Sequence, residues 1–221
     1  MSDYHIRLYK NSDYEVARDL FAQGLLENTR EAFDHALRLP RVWICMFLVF
    51  LIPLLTTQSI PLSILCVTLA LALLWLCTRD LYSSYIQYCL SDDMKNIPKY
   101  YLERDGYCFW VAESSGQPVG IVAAVPSPLA DQYVELKRLS VAESHRGKGV
   151  ATALCRTLID FARDRGCEAV VLDTTLAQLA AQRLYEKMGF KFIHTFYYPK
   201  ITAKLTDFRF LTYQYDLPRP R

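Results

Sequence analysis

No two cysteines in this chain are spaced C-x-x-C, no Asn-x-Ser/Thr sequon occurs, and no Cys/His cluster has the spacing of a metal site. The seven cysteines, an odd number scattered from Cys45 to Cys167, argue for reduced thiols and against a disulfide framework, and nothing calls for a metal. A surplus of one charge is missing too. The net charge is +2 and 22% of residues are charged, so there is no basic field of the kind that holds nucleic acid. The first residues, Met-Ser-Asp-Tyr-His-Ile-Arg, lack the apolar core of a signal peptide. Neither a Walker loop, G-x-x-x-x-G-K-[ST], nor the G-x-G-x-x-G dinucleotide fingerprint is present. What the chain does have is an excess of apolar residues, 52% of its 221, gathered largely in one place.

From Val42 to Thr78 there is no charged residue. One membrane span needs about 20 residues, and this run is nearly twice as long. Thr56-Thr57-Gln58-Ser59 interrupts it, with Pro53 and Pro61 on either side, which predicts a hairpin with arms over 42–55 and 60–77. The first arm would extend about 21 Å as a helix, short of the ~30 Å hydrocarbon thickness, so a re-entrant loop stands beside two full spans. A buried helix pair in a water-soluble core is the bland alternative. Arg38 and Arg41 precede the hairpin and Arg79 follows it, which puts both flanks on the cytosolic side of a membrane. The chain then divides into 1–40, the hairpin 41–79 and 80–221.

Around the hairpin the pattern is that of an α/β domain. A strand over 5–10 leads to capping residues Asn11, Ser12 and Asp13 and a helix carrying Val16, Leu20, Phe21, Gly24 and Leu25. A second helix over 30–39 stops at Pro40. Residues 80–102 are amphipathic and rich in tyrosine, which suits either a lipid–water boundary or a helix packed on the domain. Strands over 108–114 and 118–125 flank Ser115-Gly116-Gln117, a hairpin signal. In the next strand, 133–141, apolar parity shifts from Val134 and Leu136 to Leu139 and Val141, with Lys137-Arg138 between, and a slip of this kind predicts a bulge. A helix over 149–165 ending at Gly166, a strand over 169–173, a helix over 176–188 closed by Gly189, and strands over 191–198 and 208–215 follow. A frayed tail covers 218–221.

Within this order Arg146-Gly147-Lys148-Gly149-Val150-Ala151 joins a strand to a helix. Two glycines allow a tight turn and close backbone approach, and the amides that open a helix favour an anion. Arg146 and Lys148 add positive charge, so the stretch reads as a pyrophosphate cradle. A solvated glycine-rich loop is the alternative reading.

Arg146, Gly149 and Ala151 match the [Arg/Gln]-x-x-Gly-x-[Gly/Ala] motif of the GNAT N-acetyltransferases, and Leu184-Tyr185-Glu186-Lys187-Met188-Gly189-Phe190 resembles that family's Leu-Tyr-x-x-x-Gly-Phe helix end. The resemblance covers nearly the whole chain. It implies a GNAT fold, a mixed central sheet flanked by helices, here with an apolar membrane hairpin inserted. It implies acetyl-CoA as co-substrate, its diphosphate on residues 146–151. Cys108-Phe-Trp-Val-Ala-Glu113, Leu172-Asp-Thr174 and Gln178 are similar to the camello-type membrane branch, which implies an endoplasmic-reticulum-type membrane enzyme, and the basic flanks of the hairpin turn its catalytic part to the cytosol.

Acetyl transfer to an amine requires a held thioester, a neutral amine, donors for the developing oxyanion and a proton for the leaving thiolate. The resemblance implies Arg146, Gly147, Lys148, Gly149, Val150 and Ala151 for the hold, and backbone groups from Leu139 to Val141 as carbonyl donors. It offers Tyr185 as general acid and Glu135 as a base acting through water. A packed core tyrosine and a surface strand glutamate are the bland alternatives. Where the family often has asparagine, this chain has Gln178, a possible pantetheine donor.

The acceptor ranks first as the α-amine of a cysteine S-conjugate or similar small amino acid, whose apolar substituent suits a membrane-anchored site rich in Phe and Tyr. Protein lysines, histones included, come second; that reading predicts an open acidic groove, and no acidic cluster lies near the loop in sequence. An inactive, CoA-binding membrane scaffold is third.

Overall fold

The computed structural model describes residues 4–218; the last three residues of the tail expected at 218–221 lie outside them. Seven strands, β1 (His5–Leu8), β2 (Cys108–Ser114), β3 (Gln117–Pro126), β4 (Tyr133–Val141), β5 (Ala169–Thr175), β6 (Lys191–Tyr197) and β7 (Arg209–Asp216), form one mixed sheet in the order β1-β2-β3-β4-β5-β7-β6. Among the described residues only β4 and β5 run parallel. Helices α1 (Tyr14–Leu26), α2 (Thr29–Leu37), α3 (Pro40–Thr57) and α4 (Ile60–Ser91) lie between β1 and β2. Helix α5 (Val150–Asp164) makes the crossover that a parallel pair requires. Helices α6 (Leu179–Met188) and α7 (Ile201–Thr206) bracket β6. The fold is the mixed sheet with flanking helices read from the sequence; α7, too short to show a period, was not anticipated.

Both faces of the sheet are covered at β2 and β3, which is why these strands read as almost unbroken apolar runs, whereas the edge strand β6 is exposed along its length. Trp110, Ala112, Val122 and Ala124 meet Leu154, Leu158 and Ala162 of α5 on one side. Phe109, Val111, Ile121 and Ala123 meet Ala17 and Phe21 of α1 and Ile86 and Cys89 of α4 on the other.

Helices α3 and α4 form the expected apolar hairpin, turning at Gln58, whose φ is 54°. Both are long and apolar enough to cross a membrane, and only 6% and 11% of their apolar windows are buried. Trp43, Phe47, Ile52, Leu65, Leu69 and Leu73 are exposed, so the pair is not the covered core of a water-soluble domain. At 1.5 Å per residue α3 extends about 27 Å, longer than the arm expected over 42–55, because the helix starts at Pro40 and absorbs Thr56 and Thr57.

Helix α4 is one piece from Ile60 to Ser91, about 48 Å long. The boundary expected at 79/80 therefore falls inside it. Its second half is packed on the domain: Leu81, Tyr82, Ile86 and Cys89 are all buried.

Candidate active site

Strands β4 and β5 pair in register only from Tyr133↔Ala169 to Leu136↔Leu172. Beyond that the two parallel strands separate, leaving 137–141 and 173–175 without strand partners on the facing sides. The other edge of β4 is irregular at the same level. Val122 of β3 sits opposite two residues, since Ala123 pairs with Lys137 and Ile121 with Ser140. This is the bulge that the parity slip predicts, and Arg138 takes it up with a φ of 58°. Arg138 and Leu139 thereby have no registered partner on β3. Val141 still pairs with Gly120, and its carbonyl accepts from Arg146 Nε at 3.1 Å.

The loop after β4 is exposed from Arg146 to Gly149. Gly147 and Gly149 have φ of 74° and 83°, the left-handed conformation that glycine adopts without strain. Among the described residues, the amides of 147–152 donate to no protein acceptor in ordinary hydrogen-bond geometry. Gly149 is the N-cap of α5, so these donors sit at the positive end of a 15-residue helix. Arg146 pairs with Glu27 at 2.6 Å, both side chains nearly half exposed, and an exposed pair of this kind is worth little. An open row of unpaired amides with Arg146 and Lys148 beside it fits a diphosphate.

Next to the splay lies a cavity of about 410 Å³. Of the residues expected in a site, Glu135, Leu139, Gln178 and Tyr185 line it; Val141 and the loop 146–151 lie outside it. The Glu135 side chain is only 15% exposed and sits 3.3 Å from Lys137 Nζ. Burial raises its pKa above the usual carboxylate range, against the pull of Lys137. Tyr185 is buried with its ring against Phe190 and Tyr213, and burial pushes its phenol far up, so it stays protonated across physiological pH. The Gln178 carbonyl oxygen is consumed by the Thr175 amide at 2.9 Å and by the hydroxyls of Thr174 and Thr175, which leaves its Nε2 as the group to offer a ligand. These contacts occupy the turn that precedes α6, which is why that helix begins at Leu179 and not at 176.

Residues 71–190 match the acetyltransferase (GNAT) family. The chain is 42% identical over 221 residues to N-acetyltransferase 8B of Mus musculus, spanning 99% of this chain and 95% of that protein. It is 39% identical over 217 residues to the probable N-acetyltransferase camello of Xenopus tropicalis, with 98% and 99% covered. The chain belongs to the GNAT family. Within it, the chain falls in the N-acetyltransferase 8 and camello branch and is an acetyl-CoA-dependent N-acetyltransferase, as its motifs implied. A GNAT acetyltransferase from Staphylococcus aureus Mu50 shares the fold, with a TM-score of 0.56 at 16% identity over 97% of this chain and 99% of that one.

In this GNAT chain the structure adds groups that the sequence reading passed over. Asp92, Asp93, Glu135 and Asp173, drawn from the end of α4 and the turn after it, from β4 and from β5, all line the cavity with Lys137 and Arg138. The absence of an acidic cluster near the loop in sequence does not carry over to the cavity, because the fold assembles one from distant segments. Phe21, Leu25, Phe196, Tyr198 and Phe210 supply an apolar wall. The one local signal for Arg138 was its position at the parity slip.

Proposed function

We propose that this protein is a membrane-anchored enzyme that transfers acetyl from acetyl-CoA to the α-amine of a cysteine S-conjugate or a similar small amino acid, by direct attack in a ternary complex. The observation that carries this reading is that β4 lines a cavity with a largely buried carboxylate and a buried phenol and runs on into a loop of unpaired amides.

Bound there, acetyl-CoA supplies the activated thioester carbonyl. The amides of Gly147, Lys148, Gly149, Val150 and Ala151, with the side chains of Arg146 and Lys148, hold the diphosphate. Backbone groups from Leu139 to Val141 on the open side of β4 and Nε2 of Gln178 orient the pantetheine arm and polarise the carbonyl. Glu135, ionised, takes the amine proton through water. Tyr185, kept neutral by burial, gives its proton to the departing sulfur.

The cavity suits a zwitterion with an apolar tail, having carboxylates for the ammonium, cations for the carboxylate and aromatic rings for the substituent. The α3–α4 hairpin supplies the membrane anchor. Arg38, Arg41 and Arg79 at its flanks favour a cytosolic catalytic face, and the camello-type resemblance favours the endoplasmic reticulum.

Transfer to protein lysines, histones included, is a second reading, favoured by the four carboxylates around the cavity. The test is detergent-solubilised protein with acetyl-CoA and a panel of S-substituted cysteines, free amino acids and lysine peptides, followed by released thiol. Reaction confined to lysine peptides overturns the first reading. CoA binding with no reaction on any acceptor overturns the catalytic roles.

A further inference from the structure

The bulge that opens the cavity also sets a cation in its wall. Arg138 adopts a left-handed backbone conformation that costs an L residue energy, and its side chain is only 7% exposed. Nε and Nη2 donate in parallel to Asp93, at 2.8 and 2.7 Å. Asp93 also accepts from the Tyr101 hydroxyl and is itself 4% exposed. The guanidinium carbon lies 4.9 Å from the centre of the Phe21 ring.

A guanidinium presents five N–H donors in a fixed planar fork, with one pair of parallel donors along its side and another at its end. Asp93 fills the side pair. The end pair, Nη1 and Nη2, faces weaker partners: Nη1 makes a long 3.4 Å contact to the Tyr85 hydroxyl, and the Cys89 thiol and the Tyr101 hydroxyl lie within reach of the guanidinium. Arg138, Asp93, Phe21 and Tyr85 all line the cavity that holds Glu135. A buried ion pair alone is weak support for a fold, so the burial of this charge in the cavity wall is not explained by stability by itself.

We propose that the end of the Arg138 guanidinium binds the carboxylate of the acceptor, with Asp93 and Phe21 holding it in place. The proposal rests on the small-amino-acid reading above and gives that reading its selectivity. In an α-amino acid the carboxylate and the reacting amine share one carbon, whereas the side-chain amine of a lysine in a protein has no carboxylate near it.

The experiment uses the full chain in detergent with three acceptors: S-benzyl-L-cysteine, its carboxamide, and S-benzylcysteamine, which lacks the carboxyl group. For the unaltered protein kcat/KM is expected to fall by roughly 30-fold or more from the acid to either analogue, the consequence of leaving a buried charge unpaired. Arg138→Lys, which keeps the charge and loses the fork, is expected to bring that ratio close to one, chiefly through KM for the acid. Acetyl-CoA affinity by calorimetry reports whether the variant is folded, and the analogue series needs no variant at all. If all three acceptors react equally well with the unaltered protein, the subsite is wrong while the small-amine reading stands. A loss on Arg138→Lys that is uniform across the three marks Arg138 as merely structural and also overturns the subsite. If none of the three reacts while a lysine peptide does, both readings fall.

Discussion

Replacing Gly149 separates backbone strain from charge at the proposed diphosphate loop. Its φ of 83° costs an alanine about 1–2 kcal/mol, and the added Cβ meets nothing nearer than the Tyr4 hydroxyl at 3.5 Å, an ordinary contact. Gly149→Ala should therefore lower the melting midpoint by about 2–8 °C for a chain of this size. Gly149→Glu carries the same backbone cost and adds a negative charge on an exposed loop. Two unit charges about 4 Å apart repel by about 1 kcal/mol in bulk water, so a diphosphate bearing two charges should bind about 2 kcal/mol more weakly. That is roughly a 30-fold loss. The assay is calorimetry with CoA, which binds without turning over, on both variants. Raising salt from about 0.1 M to 1 M shortens the screening length from ~10 Å to ~3 Å and should shrink the gap between the variants without removing the strain. Equal CoA affinity for the Ala and Glu variants at low salt would falsify the placement of the diphosphate.

Glu135→Gln should reduce kcat by about 10²–10⁴, with acetyl-CoA affinity kept, and a variant retaining full turnover removes Glu135 as the base. Burial holds the proton on Glu135 to higher pH than on a solvated carboxylate, so activity falls as pH drops through its raised pKa. Lys137→Met removes a neighbour that favours the ionised form, and the acid limb of kcat/KM should move to higher pH; a shift downward contradicts the electrostatics. Tyr185→Phe keeps the ring packed on Phe190 and Tyr213 but removes the hydroxyl. Turnover should fall by roughly 10²-fold with the melting midpoint little changed, and undiminished turnover excludes the phenol as acid. Leu69→Arg puts a charge on an exposed apolar position of α4, worth about 2.5–3.5 kcal/mol against insertion at a helix centre. Carbonate extraction of membranes should release more of this variant, and identical retention argues against the hairpin as anchor.

What the sequence disclosed was whatever is local. Residues 146–151 carry their loop geometry in two glycines, the uncharged run 42–78 states its own solvent preference, and the parity change around Lys137-Arg138 marks the bulge because strand side chains alternate by two. Hidden were features made by chain segments that meet only on folding. Asp93 and Arg138 are bonded across 45 positions of sequence, and nothing local to either names the other. The acidic lining comes from three separate stretches. Helix α7 spans six residues, below the length at which a period shows. The continuity of α4 was masked because its pattern changes from uniformly apolar to amphipathic near Thr78, and a change of solvent looks like a change of element.

Helix α4 makes the proposed anchor and the wall of the proposed reaction chamber parts of one rod. Tyr85, Tyr88 and Cys89 face the cavity from the same unbroken helix whose other half bears Leu65, Leu69 and Leu73. Cutting the rod between these halves to obtain a water-soluble enzyme would leave a chamber wall on a short stump starting near Arg79, with its first turn of amides newly uncapped. Solubility in this protein is better sought by recoating the exposed apolar half with polar side chains than by removing it.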